Sequence, residues 1–155
     1  MEIEQLLQDL AQALGQESLA FNESGVLSLR FGDDIVIHLE PDPDEEHCHL
    51  YSVLCRVPES ADSRHTIMEA LMTANTFGKG TAGAAFGLDE QQNEFVLTRT
   101  FVIQSTQSDE LFQWLQDTVS VMDIWQRRLP ELVTDEVPDT DMPWPSREFA
   151  YAIRV

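Results

Sequence analysis

Three short stretches in the first quarter of the chain alternate apolar with polar residues, and this alternation constrains the fold more than any other feature. A period of two is typical of a strand with one buried face. Short polar turns that contain glycine or aspartate separate the stretches, as expected for antiparallel neighbours. The pattern therefore predicts three short antiparallel strands, which lie at residues 19–21, 27–31 and 35–39. Residues 47–57 add a fourth strand, which Pro58 ends.

Other segments have apolar residues three and four positions apart, which is the spacing of a helix. These segments are residues 2–14, about 63–77, and a long C-terminal run from Ser108 to Leu129. The helices are expected to end at Gly15, at Gly78 and before Pro130. Two further strands, at about 82–88 and 94–103, lie between the second and third helices.

The order α-βββ-α-ββ-α predicts an α+β fold in which helices pack on a twisted antiparallel sheet. A chain of 155 residues is long enough for one domain with its own core. We expect that domain to span residues 1–130 and an acidic, proline-containing tail to span residues 131–155. The tail ends in the apolar segment WPSREFAYAIRV, so Trp144 and its neighbours are candidates to dock on the domain.

The charge of the chain limits its partners. Twenty-eight acidic residues against nine basic ones give a net charge of −19. Such a surface repels phosphates, which argues against nucleic acid, and attracts basic or amphipathic polypeptides. The alternative is that the acidic residues only keep the protein soluble.

Other sequence features bear on the cellular location. The acidic N-terminus lacks the basic start of a signal peptide, and no apolar run reaches the ~18 residues of a membrane span. Cys48 and Cys55 are expected on opposite faces of one strand, roughly 23 Å apart, and hence unpaired. Free thiols favour a cytoplasmic location.

A glycine-rich stretch, NTFGKGTAGAAFGLD at residues 75–89, superficially resembles a phosphate-binding loop. The nucleotide-binding pattern needs two glycines, a lysine and a hydroxyl residue in a fixed spacing after a strand and before a helix. Here Gly80 separates Lys79 from Thr81, Thr73 stands where the first glycine is required, and a helix precedes the stretch. We therefore interpret the glycines as a turn out of a helix followed by a strand that is closely approached.

In combination, these segments resemble the class I type III secretion chaperones, the family that includes the Tir chaperone. That family tends to have an Asn near the end of the second helix, a Gly/Thr/Gly loop and a Leu-Gly-Leu-Asp-like strand. The matching residues are Asn75, Gly80, Thr81, Gly83 and Phe86-Gly87-Leu88-Asp89. The segments LGQESLAFNESGVLSLRF and IWQRRL also fit, so the resemblance covers roughly residues 3–130. The chain departs from the pattern at Asn22, where Asp is usual, at Phe86, where Leu is usual, and in its tail.

The resemblance implies a cytoplasmic homodimer that holds an unfolded segment of a secreted effector and presents it to the secretion ATPase. It implies no enzymatic activity, no cofactor and no metal, with neither nucleic acid nor membrane as partner. The second helix and the next strand are then expected to form the dimer contact, through Leu71, Ala74, Ala84 and Phe86. The alternative is that these four residues serve only the core of the monomer. Client contacts are expected from the first helix and early strands, with Val26, Ile35 and Val36 as candidates.

Two other functions stay open at this point. A regulatory chaperone of the same fold would sequester an anti-activator instead of an effector. A small zinc-binding or enzymatic protein would use His38, His47 and His49, which share a strand face if residues 41–46 form a turn that places His38 across from His49. Solvated histidines on a polar sheet face are the commoner explanation of that cluster.

Overall fold

The computed structural model describes residues 2–133 and the backbone of residues 153 and 154. Three helices and six strands form within these residues, and the predicted order α-βββ-α-ββ-α is confirmed, followed by one further short strand. The elements are α1 Ile3–Leu14, β1 Leu27–Phe31, β2 Ile35–Pro41, β3 His47–Arg56, α2 Ala61–Asn75, β4 Ala85–Asp89, β5 Glu94–Val102, α3 Ser108–Val133 and β6 Ile153–Arg154.

All six strands belong to one antiparallel sheet with the order β4-β5-β3-β2-β1-β6. The longest pairing joins β3 to β5, from His47 opposite Val102 to Arg56 opposite Glu94, with a register shift between Val53 and Cys55. Since β1 to β3 follow one another through short turns, their register follows from the alternation in the sequence. The strand order places β4 at one edge of the sheet and β6, beside β1, at the other edge.

The hydrophobic core lies between one face of this sheet and the helices. Alternate residues of each long strand point into it, as the period of two predicts. The indole of Trp125 in α3 is fully buried there, and α1 contributes its predicted apolar stripe. Core residues with little or no exposed surface include Leu6, Leu10, Leu29, Ile37, Leu39, Leu50, Leu97, Leu115 and Trp125.

Some local predictions were wrong. Residues 19–21 form no strand, although Leu19 is buried, because the chain turns at once: the Asn22 side chain accepts hydrogen bonds from the N–H groups of Ser24 and Val26. The strand predicted at 82–88 begins only at Ala85, since Ala82 and Gly83 have positive φ values of 52° and 82°. A left-handed backbone cannot continue a strand.

Helix α3 does not end at Pro130 as predicted, but continues to Val133. Proline at this position removes the hydrogen bond to the carbonyl four residues earlier, so continuation of the helix needs a compensating contact. Leu132 is buried in the last turn, and this contact stabilises the turn beyond the proline. The helix therefore crosses the expected domain boundary at residue 130, and the division into domain and tail stays a prediction.

Both cysteines are free, as predicted. Burial raises the pKa of the Cys48 thiol to about 12 and also raises the pKa of Cys55. Among residues 2–133, no helix combines the length and the hydropathy that a membrane-spanning segment needs. Trp144 lies outside the described residues.

Candidate functional site

A shallow apolar groove lies between α2 and β4. Its volume is about 180 Å³, and it is lined by Met68, Leu71, Met72, Phe86, Leu88 and Phe95, with Asn75 and Gly87. Met72 is 69% exposed, Leu88 50% and Met68 38%, so water reaches three large apolar side chains in one place. Contiguous apolar patches of this kind commonly mark contacts with another protein. We call this surface the α2–β4 groove.

The sequence builds the groove from a helical face and a strand edge. Met68, Leu71, Met72 and Asn75 are three or four residues apart, so they share one face of α2. Asn75 fixes that face against β4: its Nδ2 donates to the Phe86 carbonyl at 2.9 Å, and its Oδ1 accepts from the Phe86 N–H at 2.7 Å. The amide thus pairs with β4 as the backbone of a neighbouring strand would.

The glycine-rich stretch forms the turn between α2 and β4. Gly78 has a φ of 65°, and a Cβ placed there would lie 3.1 Å from the Cα of Gly83. The Thr81 hydroxyl donates to the Ala84 carbonyl at 2.6 Å, and the Trp125 indole N–H donates to the Gly80 carbonyl at 3.4 Å. These contacts bind the stretch to its own chain, which supports its interpretation as a turn.

The four residues predicted at a dimer contact differ in their surroundings. Leu71 and Phe86 are buried and form the floor of the α2–β4 groove, and the Phe86 ring meets the Trp125 ring edge-on at 5.0 Å. Ala74 is buried and Ala84 is half-buried against the core, and neither lines the groove. Their assignment to a dimer contact stays a prediction.

Sequence reasoning missed the exposed residues of the groove, Met68, Met72 and Leu88. The signal was present, because Met68 and Met72 lie one helical turn apart and flank Leu71, which the sequence predicts at the dimer contact. When the apolar stripe of a helix is wider than packing against the core requires, the stripe predicts a second contact.

The face of the sheet that is turned away from the helices is a second candidate surface, which we call the open face. A depression of about 690 Å³ crosses it, and half-buried Tyr51, Val53 and Val96 are among the residues that line it. Acidic side chains surround this floor: Glu40, Asp89 and Glu94. The open face therefore combines apolar contact area with a negative rim.

Burial shifts the pKa values of two titratable groups on the open face in the direction that favours their neutral forms. Burial lowers the pKa of His38, although Glu40 and Glu94 oppose that shift. Burial, assisted by Glu40, raises the pKa of Tyr51, whose hydroxyl donates to Glu40 at 3.3 Å. The centroids of the His38 and Tyr51 rings lie 4.9 Å apart in a stacked arrangement, so burial favours the neutral form of both members of this aromatic pair.

The three residues predicted to contact a client do not lie together on one surface. Val36 is half-buried on β2, at a position that alternates with the core residues, and Val26 is half-buried just before β1. Ile35 is buried in the core with 4% of its surface exposed. The assignment of these three residues to a client contact stays a prediction. Val26 and Val36 have the accessible surface that such a contact needs.

The predicted histidine cluster has other partners. His38 lies opposite Tyr51, not opposite His49 as predicted, because Glu40 pairs with His49 and Pro41 with Cys48, which places the turn one residue later than predicted. His49 lies 2.8 Å from Asp42 and 2.9 Å from Thr100, while the Nδ1 of His38 lies 2.8 Å from Ser28. Within residues 2–133, no three His, Cys, Asp or Glu side chains form a group that could hold a metal ion.

Arg99 supports the turn beside the groove, and sequence reasoning also missed it. Its guanidinium donates to the Ala82 carbonyl at 2.6 Å and lies 4.9 Å from the centre of the Trp114 ring. Burial lowers the pKa of Arg99, with Asp117 opposing the shift. The available signal was the position of Arg99 between Leu97 and Phe101, because alternation places all three residues on the core-facing side of the strand.

The chain matches the family model described as "Tir chaperone protein (CesT) family" over residues 5–126. A Chlamydia pneumoniae protein is 30% identical over 108 residues, which cover 69% of this chain and 81% of that protein. The family match spans the described fold from α1 into α3.

Solved structures share the fold at lower identity. A chain of the HopA1–SchA chaperone–effector complex has a TM-score of 0.66 at 18% identity, covering 81% of this chain and 93% of its own length. A chain of the ExsC–ExsE complex has a TM-score of 0.65 at 21% identity, with coverages of 83% and 97%. A chain of the Yersinia pestis complex between the type III secretion chaperone SycH and a fragment of YscM2 reaches 0.60 at 19%, with coverages of 77% and 96%.

Proposed function

Because the chain belongs to the Tir chaperone protein (CesT) family, we propose that it is a type III secretion chaperone for a secreted effector. It binds the effector's unfolded chaperone-binding segment and keeps that segment soluble and competent for secretion. The observation that carries this proposal is the family match over residues 5–126, which covers nearly the whole described fold. Similar solved structures come from a chaperone–effector complex and from a chaperone bound to a fragment of another protein.

The working form in this proposal is a homodimer that covers the α2–β4 groove. The groove exposes Met68, Met72 and Leu88 to water in a single subunit, and a second copy would bury them. A Cβ added at Gly87 meets nothing within 4 Å, so the subunit itself does not require glycine there. Close approach of β4 from a second copy of the chain would explain why glycine stands at this position. Leu71 and Phe86 would support this contact from below, with Ala74 and Ala84 behind them.

The open face and the region before β1 are proposed to contact the client. An extended polypeptide is recognised by spaced apolar contacts and by main-chain pairing at a sheet edge. Tyr51, Val53 and Val96 offer apolar contact inside a rim of carboxylates, which favours a client segment with basic residues beside its apolar ones. Val36 and Val26 extend this surface toward β1.

The proposed activity breaks and forms no covalent bond. We therefore propose that the protein is not an enzyme, uses no cofactor and acts in the cytoplasm, where the effector awaits the secretion ATPase. The family supports this, because its name describes chaperones. Two of the histidines that would serve a zinc or enzymatic function form hydrogen bonds elsewhere: His38 with Ser28, and His49 with Asp42 and Thr100.

Co-expression with effectors of the same bacterium tests this function. The expected result is that one effector or more becomes soluble only with the chaperone, and that deleting a short segment of the effector abolishes complex formation. A matched control is an effector that carries a scrambled version of that segment. If every effector behaves identically with and without the chain, the proposal is wrong.

A further inference from the structure

The outer edge of β1 has an occupant from the same chain. Strand β6 pairs antiparallel with β1, with Phe31 opposite Ile153 and Arg30 opposite Arg154. The other side of β1 pairs with β2 over all five of its residues, from Leu27 to Phe31. Without β6, the N–H and C=O groups on the outer side of β1 would form an open sheet edge.

The described residues of β6 pair with part of this edge. In the described residues, β6 pairs with the last two positions of β1, whereas β2 shows that β1 can pair over five. An extended peptide that pairs along all of β1 can therefore form more ladder hydrogen bonds than residues 153 and 154 form. Two paired residues contribute few of these hydrogen bonds.

We propose that the outer edge of β1 is a strand-accepting site, which β6 occupies in the empty protein and an extended client peptide takes over. The partner that fits is an extended segment with an apolar residue opposite buried Phe31 and a polar residue opposite exposed Arg30. Ile153 and Arg154 meet this description in sequence and register. The identity of the natural competitor rests on the proposed function, but the occupation of the edge by β6 does not.

The effect of β6 on the affinity of β1 for a peptide can be measured. If β6 occupies the edge 90% of the time, a competing strand binds about tenfold more weakly than it would to a free edge. Opening the edge should therefore strengthen peptide binding, without any change in the residues that contact the peptide.

The test uses the full-length protein and a full-length variant, Ile153→Pro/Arg154→Pro. The N–H groups of consecutive strand residues point to opposite sides, so one of the two prolines must remove a hydrogen bond toward β1. The probe is a fluorescent peptide with the sequence EFAYAIRV, residues 148–155. A variant with prolines at Asp139 and Thr140 is the matched control, and a scrambled peptide controls for composition.

We expect the peptide to bind the Ile153→Pro/Arg154→Pro variant at least fivefold more tightly than it binds the wild type and the control variant. We also expect faster hydrogen exchange at the amides of Arg30 or Phe31 in the Ile153→Pro/Arg154→Pro variant. Equal binding to all three proteins, no binding to the variant, or unchanged exchange at both amides would overturn the inference. Normal effector binding alongside such a result would leave the proposed chaperone function intact.

Discussion

The side chain of Asn75 forms two hydrogen bonds with the backbone of Phe86, one through each atom of its terminal amide. These bonds join the last residue of α2 to β4 across the glycine-rich turn. They fix the angle between the two elements that form the α2–β4 groove. The integrity of the proposed dimer surface therefore depends on one polar side chain.

Replacing Asn75 with Ala should lower the free energy of unfolding by about 1–3 kcal/mol, because it leaves two backbone groups of Phe86 without their partner. Urea denaturation of wild type and variant measures this difference. Thr73→Ala is the matched control, since the Thr73 hydroxyl is exposed and bonds only to Glu69 within α2. Equal losses in the two variants would contradict a structural role for the Asn75 pair.

Charges placed in the α2–β4 groove should separate the proposed dimer and leave the subunit folded. Met72→Glu and Leu88→Glu alter side chains that are 69% and 50% exposed, so the core of the subunit is not disturbed. We expect the dimer dissociation constant to rise at least tenfold, which corresponds to about 1.4 kcal/mol. Light scattering should then report 17.6 kDa instead of twice that mass.

Val133→Glu is the control for the groove variants, because Val133 is an exposed apolar residue at the far end of α3. It should keep the wild-type mass. A wild-type protein that remains at the mass of one chain at every concentration would show that the groove has another purpose.

Gly78→Ala should destabilise the protein by about 1–3 kcal/mol, because its φ of 65° is left-handed and the new Cβ would press on Gly83. Gly87→Ala should change the stability of the subunit little, since a Cβ there meets nothing within 4 Å. Thermal or urea unfolding of both variants, at concentrations at which the subunits are separate, provides the comparison. Similar losses for both would be inconsistent with the turn described here.

The pH dependence of stability should contain a contribution from His38. Its pKa is lowered in the folded protein, so below the ordinary value of ~6.5 the unfolded chain binds more protons. Stability is therefore lost as the pH falls through ~6.5 toward the lower pKa of the folded state. His38→Gln should lose less stability than wild type between pH 7.5 and 5.5, about the range in which an ordinary histidine titrates, measured by urea denaturation.

His65→Gln is the matched control for His38, because His65 is exposed on α2. Comparison with this variant separates burial of the imidazole from the loss of a histidine as such. A His38→Gln variant with the full wild-type pH dependence would mean that burial of the imidazole has no energetic consequence.

Much of the fold could be predicted from local patterns. The alternation at 27–31 and 35–39 fixed which residues of β1 and β2 face the core, because a one-residue shift would expose the whole apolar set. The helical spacing placed α1 within one residue, since Gly15 adopts the left-handed conformation expected at its end.

Predictions failed where contacts between residues far apart in the sequence determine the local structure. The register of β2 and β3 depends on the position of the turn after Pro41, so the sequence prediction placed His38 opposite the wrong residue. The last turn of α3 depends on the burial of Leu132, which a proline rule cannot anticipate. Strand β6 is set by its pairing with a strand more than a hundred residues earlier. The sequence marks WPSREFAYAIRV as an apolar segment that could dock, but it does not identify β1 as the partner.

The candidate surfaces were only partly predictable for the same reason. Spacing identifies Leu71 and Phe86 as apolar positions, but only the packed structure shows that they lie below an exposed groove. Similarly, the alternation shows which residues of β2 and β3 share the open face, but not that carboxylates surround its apolar floor.

The central claim is that this protein holds another chain's unfolded segment without changing it chemically. Hydrogen exchange of a cognate effector's chaperone-binding segment, measured with and without the protein, tests that claim most directly. We predict rapid exchange throughout the free segment, protection of short separated stretches in the complex, and an unchanged covalent mass of the segment. A segment that is already protected when free, that gains no protection in the complex, or that emerges cleaved or modified would contradict the account.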